Sequence, residues 1–185
     1  MRDFGSVAHR AATPVCVHGI FLKSLAILNP YGKVYNMSFM KQALISATLA
    51  YKHDDVPIGA VIVHNGKIIA RGENMVQKKH NPTLHAEIVA INRACKKLGK
   101  KFLDDCDIYV SLEPCAMCAT AISLARIQNV FFAASDEKGG GILSNARVYD
   151  TDRHLWLPTV QQLPEYADES AKLLRDFFAA RRKKL

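Results

Sequence analysis

Long apolar runs are missing from this chain. No stretch approaches the ~18 uninterrupted apolar residues that a membrane-crossing helix needs, so a soluble protein is expected. Cysteine is scarce and odd in number. Five cysteines cannot all pair, and two of them stand at a metal-type spacing, which argues against a disulfide framework and for a reducing cytoplasm. Cys95 and Cys106 are expected to pack as small buried residues. Acidic side chains are the third shortage: 17 Asp and Glu against 25 Lys and Arg leave a net charge of +8. That balance suits a polyanionic partner such as nucleic acid, although a solvated lysine-rich surface is its commoner use. A chain of 185 residues, 49% of them hydrophobic, is sized for one sizeable core.

The acidic shortage is sharpest in residues 1 to 36, where Asp3 stands alone against Arg2, Arg10, Lys23 and Lys33. The apolar stretch from Val15 to Leu28, broken by His18 and Lys23, has some features of a targeting peptide. It lacks a clean small-residue cleavage site and a defined amphipathic face. The preferred reading is therefore a disordered extension upstream of a start at Met37, followed by one domain over residues 37–185.

From Ser38 the pattern is helical, with Met40, Ala43, Leu44, Ala47 and Tyr51 recurring on one face. Ala60–Val63 and Lys67–Ala70 flank Asn65-Gly66, a strong signal for a tight antiparallel hairpin. A polar loop over Gln77–Asn81 is expected to lead into a helix begun by Pro82 and Thr83, carrying His85 and Glu87 and ended by Gly99. Asp107–Leu112 reads as a buried strand. A helix begun at Pro114 would set Cys115 and Cys118 on one face of its first turn, where free amide hydrogens and the helix dipole favour thiolates. Asn129–Ala134 would then complete a parallel strand–helix–strand unit of right-handed crossover. Gly139-Gly140-Gly141 reads as a flexible loop, and Glu169–Lys184 as a terminal amphipathic helix. The sum is an α/β fold, a three-layer α/β/α sandwich around a mixed sheet of about five strands, with both chemistry-bearing helix starts brought together across the sheet.

The chemistry rests on His85-Ala86-Glu87 and Pro114-Cys115-Ala116-Met117-Cys118. One imidazole and two thiolates hold zinc while leaving its fourth position for water, the arrangement of a catalytic site. Each half alone is weak: Cys-x-x-Cys also serves as a redox pair, and His two residues before Glu is common on polar helices. Together they match the pattern of zinc-dependent base deaminases, in which the glutamate moves protons without ligating the metal. Zinc lowers the pKa of its water from about 15.7 towards 7. Glu87 would take that proton, pass it to the ring nitrogen beside the attacked carbon, and protonate the departing amine. The plain alternative for Glu87 is a helix-dipole partner, worth only ~0.3 to 1 kcal/mol.

On these motifs, with Val56-Pro57-Ile58-Gly59-Ala60-Val61, Asn81-Pro82-Thr83-Leu84-His85-Ala86-Glu87, Leu112-Glu113-Pro114 and Asp176-Phe177-Phe178 before Arg181-Arg182, the chain from Met37 onward closely resembles the bacterial tRNA-specific adenosine deaminases of the cytidine deaminase-like superfamily. The resemblance implies a cytidine deaminase-like fold and conversion of adenosine to inosine at the wobble position of a tRNA anticodon. It also implies one Zn2+ per subunit, bound by His85, Cys115 and Cys118, with Glu87 as proton donor, in a homodimer. It further implies that Asn74 contacts the target nucleoside and that Phe177 and Phe178 line the anticodon-loop site. Asp136 is a candidate substrate-loop residue, and Arg181 and Arg182 would meet phosphates. The alternatives are a strand-end turn role for Asn74, helix packing for the phenylalanines and a merely solvated tail. Two positions depart from the family pattern. Leu84 is bulkier than the small residue often found there, and Ser135 stands where some members carry arginine, which puts a phosphate or base contact in doubt.

Two other functions fit parts of the sequence. A deaminase of a free base or nucleoside, such as cytosine, guanine or cytidine, would use the same zinc site. An inactive RNA-binding scaffold would keep the zinc, but it would have no use for Glu87.

Overall fold

The structure is a computed structural model that describes residues 26–28, 34–36, 38–150 and 156–183. Of the expected N-terminal extension, only two short strands fall within it, β1 (Ala26–Leu28) and β2 (Val34–Asn36), paired antiparallel. The rest of that expectation lies outside the described residues.

The first helix, α1 (Ser38–Lys52), buries Met40, Ala43, Leu44, Ala47 and Ala50 on the face that the apolar spacing marks. It presses onto β3 (Gly59–His64) so closely that a Cβ at Gly59 would stand 2.1 Å from the Ala43 carbonyl oxygen. Only glycine fits there. β3 turns at Asn65-Gly66, both at positive φ, into β4 (Lys67–Glu73), as the two residue types require of a tight hairpin. The segment expected to be a polar loop contains a four-residue helix, α2 (Val76–Lys79). Its first turn is held from a distance: the buried carboxylate of Asp55 accepts the amide hydrogens of Gln77 and Lys78 at 2.8 and 2.9 Å.

Then come α3 (Ala86–Leu98), β5 (Cys106–Leu112), α4 (Ala116–Leu124) and β6 (Asn129–Ala134), with β5 and β6 parallel as expected. A further strand, β7 (Thr159–Gln162), pairs parallel with β6 at the sheet edge. The sequence pattern implies about five strands but carries no signal that locates this one. α5 (Ala167–Arg182) follows a short 3-10 turn over Pro164–Tyr166. The five-stranded sheet runs β4-β3-β5-β6-β7.

Alternation along the strands divides the core. Ala60, Ile62, Ile108, Val110 and Val130 pack under α3 and α4, whereas Val61, Val63, Tyr109, Phe131 and Ala133 pack under α1 and the approach to α5. This is the expected three-layer sandwich, with one correction. The helices carrying the chemistry meet side by side on one face of the sheet and not across it. Among the described residues, no helix is long and apolar enough to cross a membrane.

Candidate metal and active site

His85 and Cys115 occupy the same structural position. Each is the N-cap of its helix in extended backbone, φ −66° and ψ 157° for His85, φ −68° and ψ 171° for Cys115. Both helices therefore begin later than Pro82 and Pro114 suggest. Before α3, the Asn81 side chain accepts the Thr83 amide hydrogen at 3.0 Å and its hydroxyl at 2.8 Å, so Pro82 and Thr83 form a turn that delivers His85 extended. Before α4, the Pro114 carbonyl accepts the Gly141 amide hydrogen at 2.8 Å, and Cys115 bridges Gly140. A Cβ at Gly72 would stand 1.9 Å from the Ala86 carbonyl oxygen, so that glycine lets α3 seat against β4.

The two helix starts bring three donors together. His85 Nδ1 lies 3.6 Å from the Sγ atoms of both Cys115 and Cys118, and all three ligand atoms fall within 4.8 Å of one another. Tetrahedral zinc, with its usual bonds to nitrogen and sulfur, separates such donors by about 3.6 Å. The set fits zinc in type, number and spacing, and three donors leave one position open. It is a metal-binding triad of the kind that zinc deaminases use.

Electrostatics favour a thiolate there. The hydrogen bond from Cys118 and the neighbouring His85 hold the Cys115 thiol down at about 4, against its burial. The same bond, with burial, pushes the deeper Cys118 up. His85 is raised by its hydrogen bond to Cys115. Glu87, in the first turn of α3, is 3% exposed, and burial raises its carboxyl. Its Oε2 has no hydrogen-bond partner, and neither has Oδ1 of the buried Asn74 at the end of β4. A buried polar atom left unpaired costs about 1–3 kcal/mol, so these two atoms mark a place where a ligand's donors belong.

The remaining candidates lie elsewhere. Asp136 sits in the loop beside the α4 start, its Oδ1 accepting the Lys138 and Gly139 amide hydrogens at 3.2 and 3.0 Å. The glycines that read as a flexible loop are packed tightly. A Cβ at Gly141 would stand 2.4 Å from the Ala116 nitrogen, and one at Gly140 would stand 2.6 Å from the Glu113 carboxyl carbon. On α5 the two phenylalanines part company: Phe177 is buried edge-on against Tyr51, while Phe178 is 45% exposed. Arg181 lies over the Phe177 ring and pairs with Asp54 at 2.9 Å, beside a cleft of about 390 Å³ lined by Tyr51, Lys52 and Asp54. Arg182 is exposed.

Sequence reasoning gave no role to Glu113 or Asp55. Both are acidic residues exposed to 2% or less. Each binds backbone amides far along the chain, and composition and periodicity carry no signal of that.

Residues 35–182 match the family model of the MafB19-like deaminases. The chain is 44% identical over 141 residues to the tRNA-specific adenosine deaminase of Rickettsia bellii, covering 75% of this chain and 97% of that one. It is 40% identical over 151 residues to that of Aquifex aeolicus, with 80% and 94% covered. A solved structure from studies of A-to-I editing by tRNA:A34 deaminases at the wobble position superposes with a TM-score of 0.73 at 42% identity, covering 75% of this chain and all (100%) of that one. A guanine deaminase structure from Bacillus subtilis gives 0.55 at 38% identity, with 80% and 95% covered.

Proposed function

The chain belongs to the MafB19-like deaminases and, among them, to the tRNA-specific adenosine deaminases, and on that footing we propose that it hydrolyses adenosine to inosine at the wobble position of a tRNA anticodon. The observation that carries the mechanism is the buried, unpaired Glu87 Oε2, two residues along the chain from His85 of the His85, Cys115 and Cys118 donor set.

His85, Cys115 and Cys118 would hold one Zn2+ per subunit. Bound there, zinc supplies the Lewis acidity that makes water nucleophilic near neutral pH. Glu87 takes a proton from the water whose oxygen adds to the ring carbon bearing the amine, and delivers it to the adjacent ring nitrogen. It then takes the remaining proton of the added hydroxyl and passes it to the amine, which leaves as ammonia as the ring carbonyl forms. Burial, which raises the Glu87 carboxyl, suits a group that must hold a proton between these transfers. Asn74 offers its free Oδ1 to a donor of the bound nucleoside. Asp136 stands in the loop flanking the site. At the end of α5, Phe178 provides an exposed ring on which an anticodon-loop base stacks, and Arg182 a cation for its phosphates.

We also infer a homodimer working in the cytoplasm. Met117 and Leu124, seven residues apart on one face of α4, are exposed, and so are Leu143, Trp156 and Leu157. An apolar surface of that kind suits a protein partner.

The test is inosine formation by the purified, zinc-loaded protein on an anticodon stem-loop with a wobble adenosine, beside free adenosine, cytidine, cytosine and guanine. Turnover confined to the RNA is expected. Turnover of a free base with the stem-loop untouched would reassign the substrate and leave the metal site in its role.

A further inference from the structure

We propose that Glu113 is a positioning residue that locks the 136–144 loop onto the start of α4 and thereby fixes Asp136 relative to Cys115 and Cys118. The part that concerns RNA rests on the function proposed above.

Glu113 follows β5 and precedes the Pro114-Cys115 turn, where a carboxylate would ordinarily reach solvent. Instead it is 2% exposed. Its Oε1 accepts the amide hydrogens of Ile142, Leu143 and Ser144 at 3.2, 2.8 and 2.9 Å. Its Oε2 accepts the Asp136 amide hydrogen at 3.1 Å and the Ser144 hydroxyl at 2.5 Å. One side chain thus grips both ends of the loop. Gly140 and Gly141 let the backbone between them pass with no room for a Cβ, against Glu113 itself and against Ala116. The loop, the Pro114 turn and the first residues of α4 form one packed unit.

The two oxygens have different tasks, and that separates positioning from plain stability. In Glu113→Gln the amide oxygen must face the three donors at 142–144, because the opposite orientation would set its NH2 against all of them. Its NH2 then faces Ser144 and Asp136. The Ser144 hydroxyl can turn and accept; the Asp136 backbone N–H cannot. The substitution therefore releases the Asp136 end of the loop and leaves the other end tied.

The experiment compares wild type, Glu113→Gln and Glu113→Asp by amide hydrogen exchange, zinc content, the spectrum of the Co2+-substituted protein, and KM and kcat on the anticodon stem-loop. For Glu113→Gln we expect faster exchange at Asp136 with Leu143 still protected, and zinc and cobalt signatures like wild type. KM should rise about tenfold while kcat stays within about threefold. An unchanged KM despite a loosened Asp136 would overturn the proposal. So would an altered cobalt spectrum with a fall in kcat alone, which would make Glu113 a support of the metal ligands. Should Glu113→Gln not fold, Glu113→Asp, which keeps the charge but retracts it by one methylene, must show the same KM split or the proposal fails. Failure of the wild type to act on the stem-loop would strike the proposed function, whereas the exchange pattern tests the clamp independently of it.

Discussion

The two ends of this molecule that the sequence marks for function differ in how their polar groups are satisfied. At the starts of α3 and α4, Glu87 Oε2 and Asn74 Oδ1 are buried without partners, and three metal-type donors converge. Along α5 several side chains answer to the chain itself: Arg181 to Asp54, although its Nε is left without a partner, Lys172 to Asp176, and Phe177 to Tyr51 through ring packing. Buried unpaired atoms cost stability and are kept where a ligand completes them, whereas exposed charges with internal partners are what any soluble fold carries. The first region reads as a site from its geometry. The second offers an exposed ring in Phe178, an exposed cation in Arg182 and the unpaired Nε of Arg181.

The largest effect should come from Glu87. Glu87→Ala is expected to lower kcat by roughly 10³-fold or more while leaving zinc content and thermal stability near wild type, because the role proposed for the carboxylate is to move protons and not to ligate the metal. Metal analysis beside single-turnover inosine formation checks this. Loss of zinc in the variant would erase the distinction between donor set and proton carrier on which the reading of that region depends.

How far the sequence reached follows the same division. Local signals were reliable: Asn65-Gly66 set the hairpin, the apolar faces set α1 and α3, and His-x-Glu with Pro-Cys-x-x-Cys located the donor set. What escaped was written in long-range contacts. β7, Thr-Val-Gln-Gln, is a short edge strand with no apolar alternation to detect. The triple glycine of 139–141 marks close approach in place of freedom, because Glu113 and Ala116 stand where side chains would go. α2 forms because Asp55, 22 residues away, caps it. Proline placed both helix starts a residue or more too early, since Asn81 and Gly141 use the preceding backbone for turns.

The neighbouring phenylalanines sharpen the comparison within α5 itself. Phe177→Ala removes a ring that is 4% exposed and packed against Tyr51, and should cost about 3–5 kcal/mol of stability in a denaturant titration. Phe178→Ala, at an exposed position, should leave the denaturation midpoint almost unchanged and raise KM for the stem-loop about tenfold, the scale of one lost stacking contact. A stability loss shared equally by the two variants would make this end of α5 core throughout and remove Phe178 from the RNA surface.

The smallest effect concerns the tail. Arg181 and Arg182 are adjacent in sequence, yet Arg181 spends its guanidinium on Asp54 while Arg182 is exposed. A cation that neutralises a phosphate releases a counterion, so its removal lowers the slope of log affinity against log salt by about 1. Arg182→Ala should show that reduced slope for the stem-loop, measured by fluorescence anisotropy across a salt series. Arg181→Ala should leave the slope nearly unchanged, because its charge is already met by a carboxylate within the fold. The reverse result would mean that RNA draws Arg181 away from Asp54, and the internal pairing that separates this region from the metal site would then belong to the free protein alone.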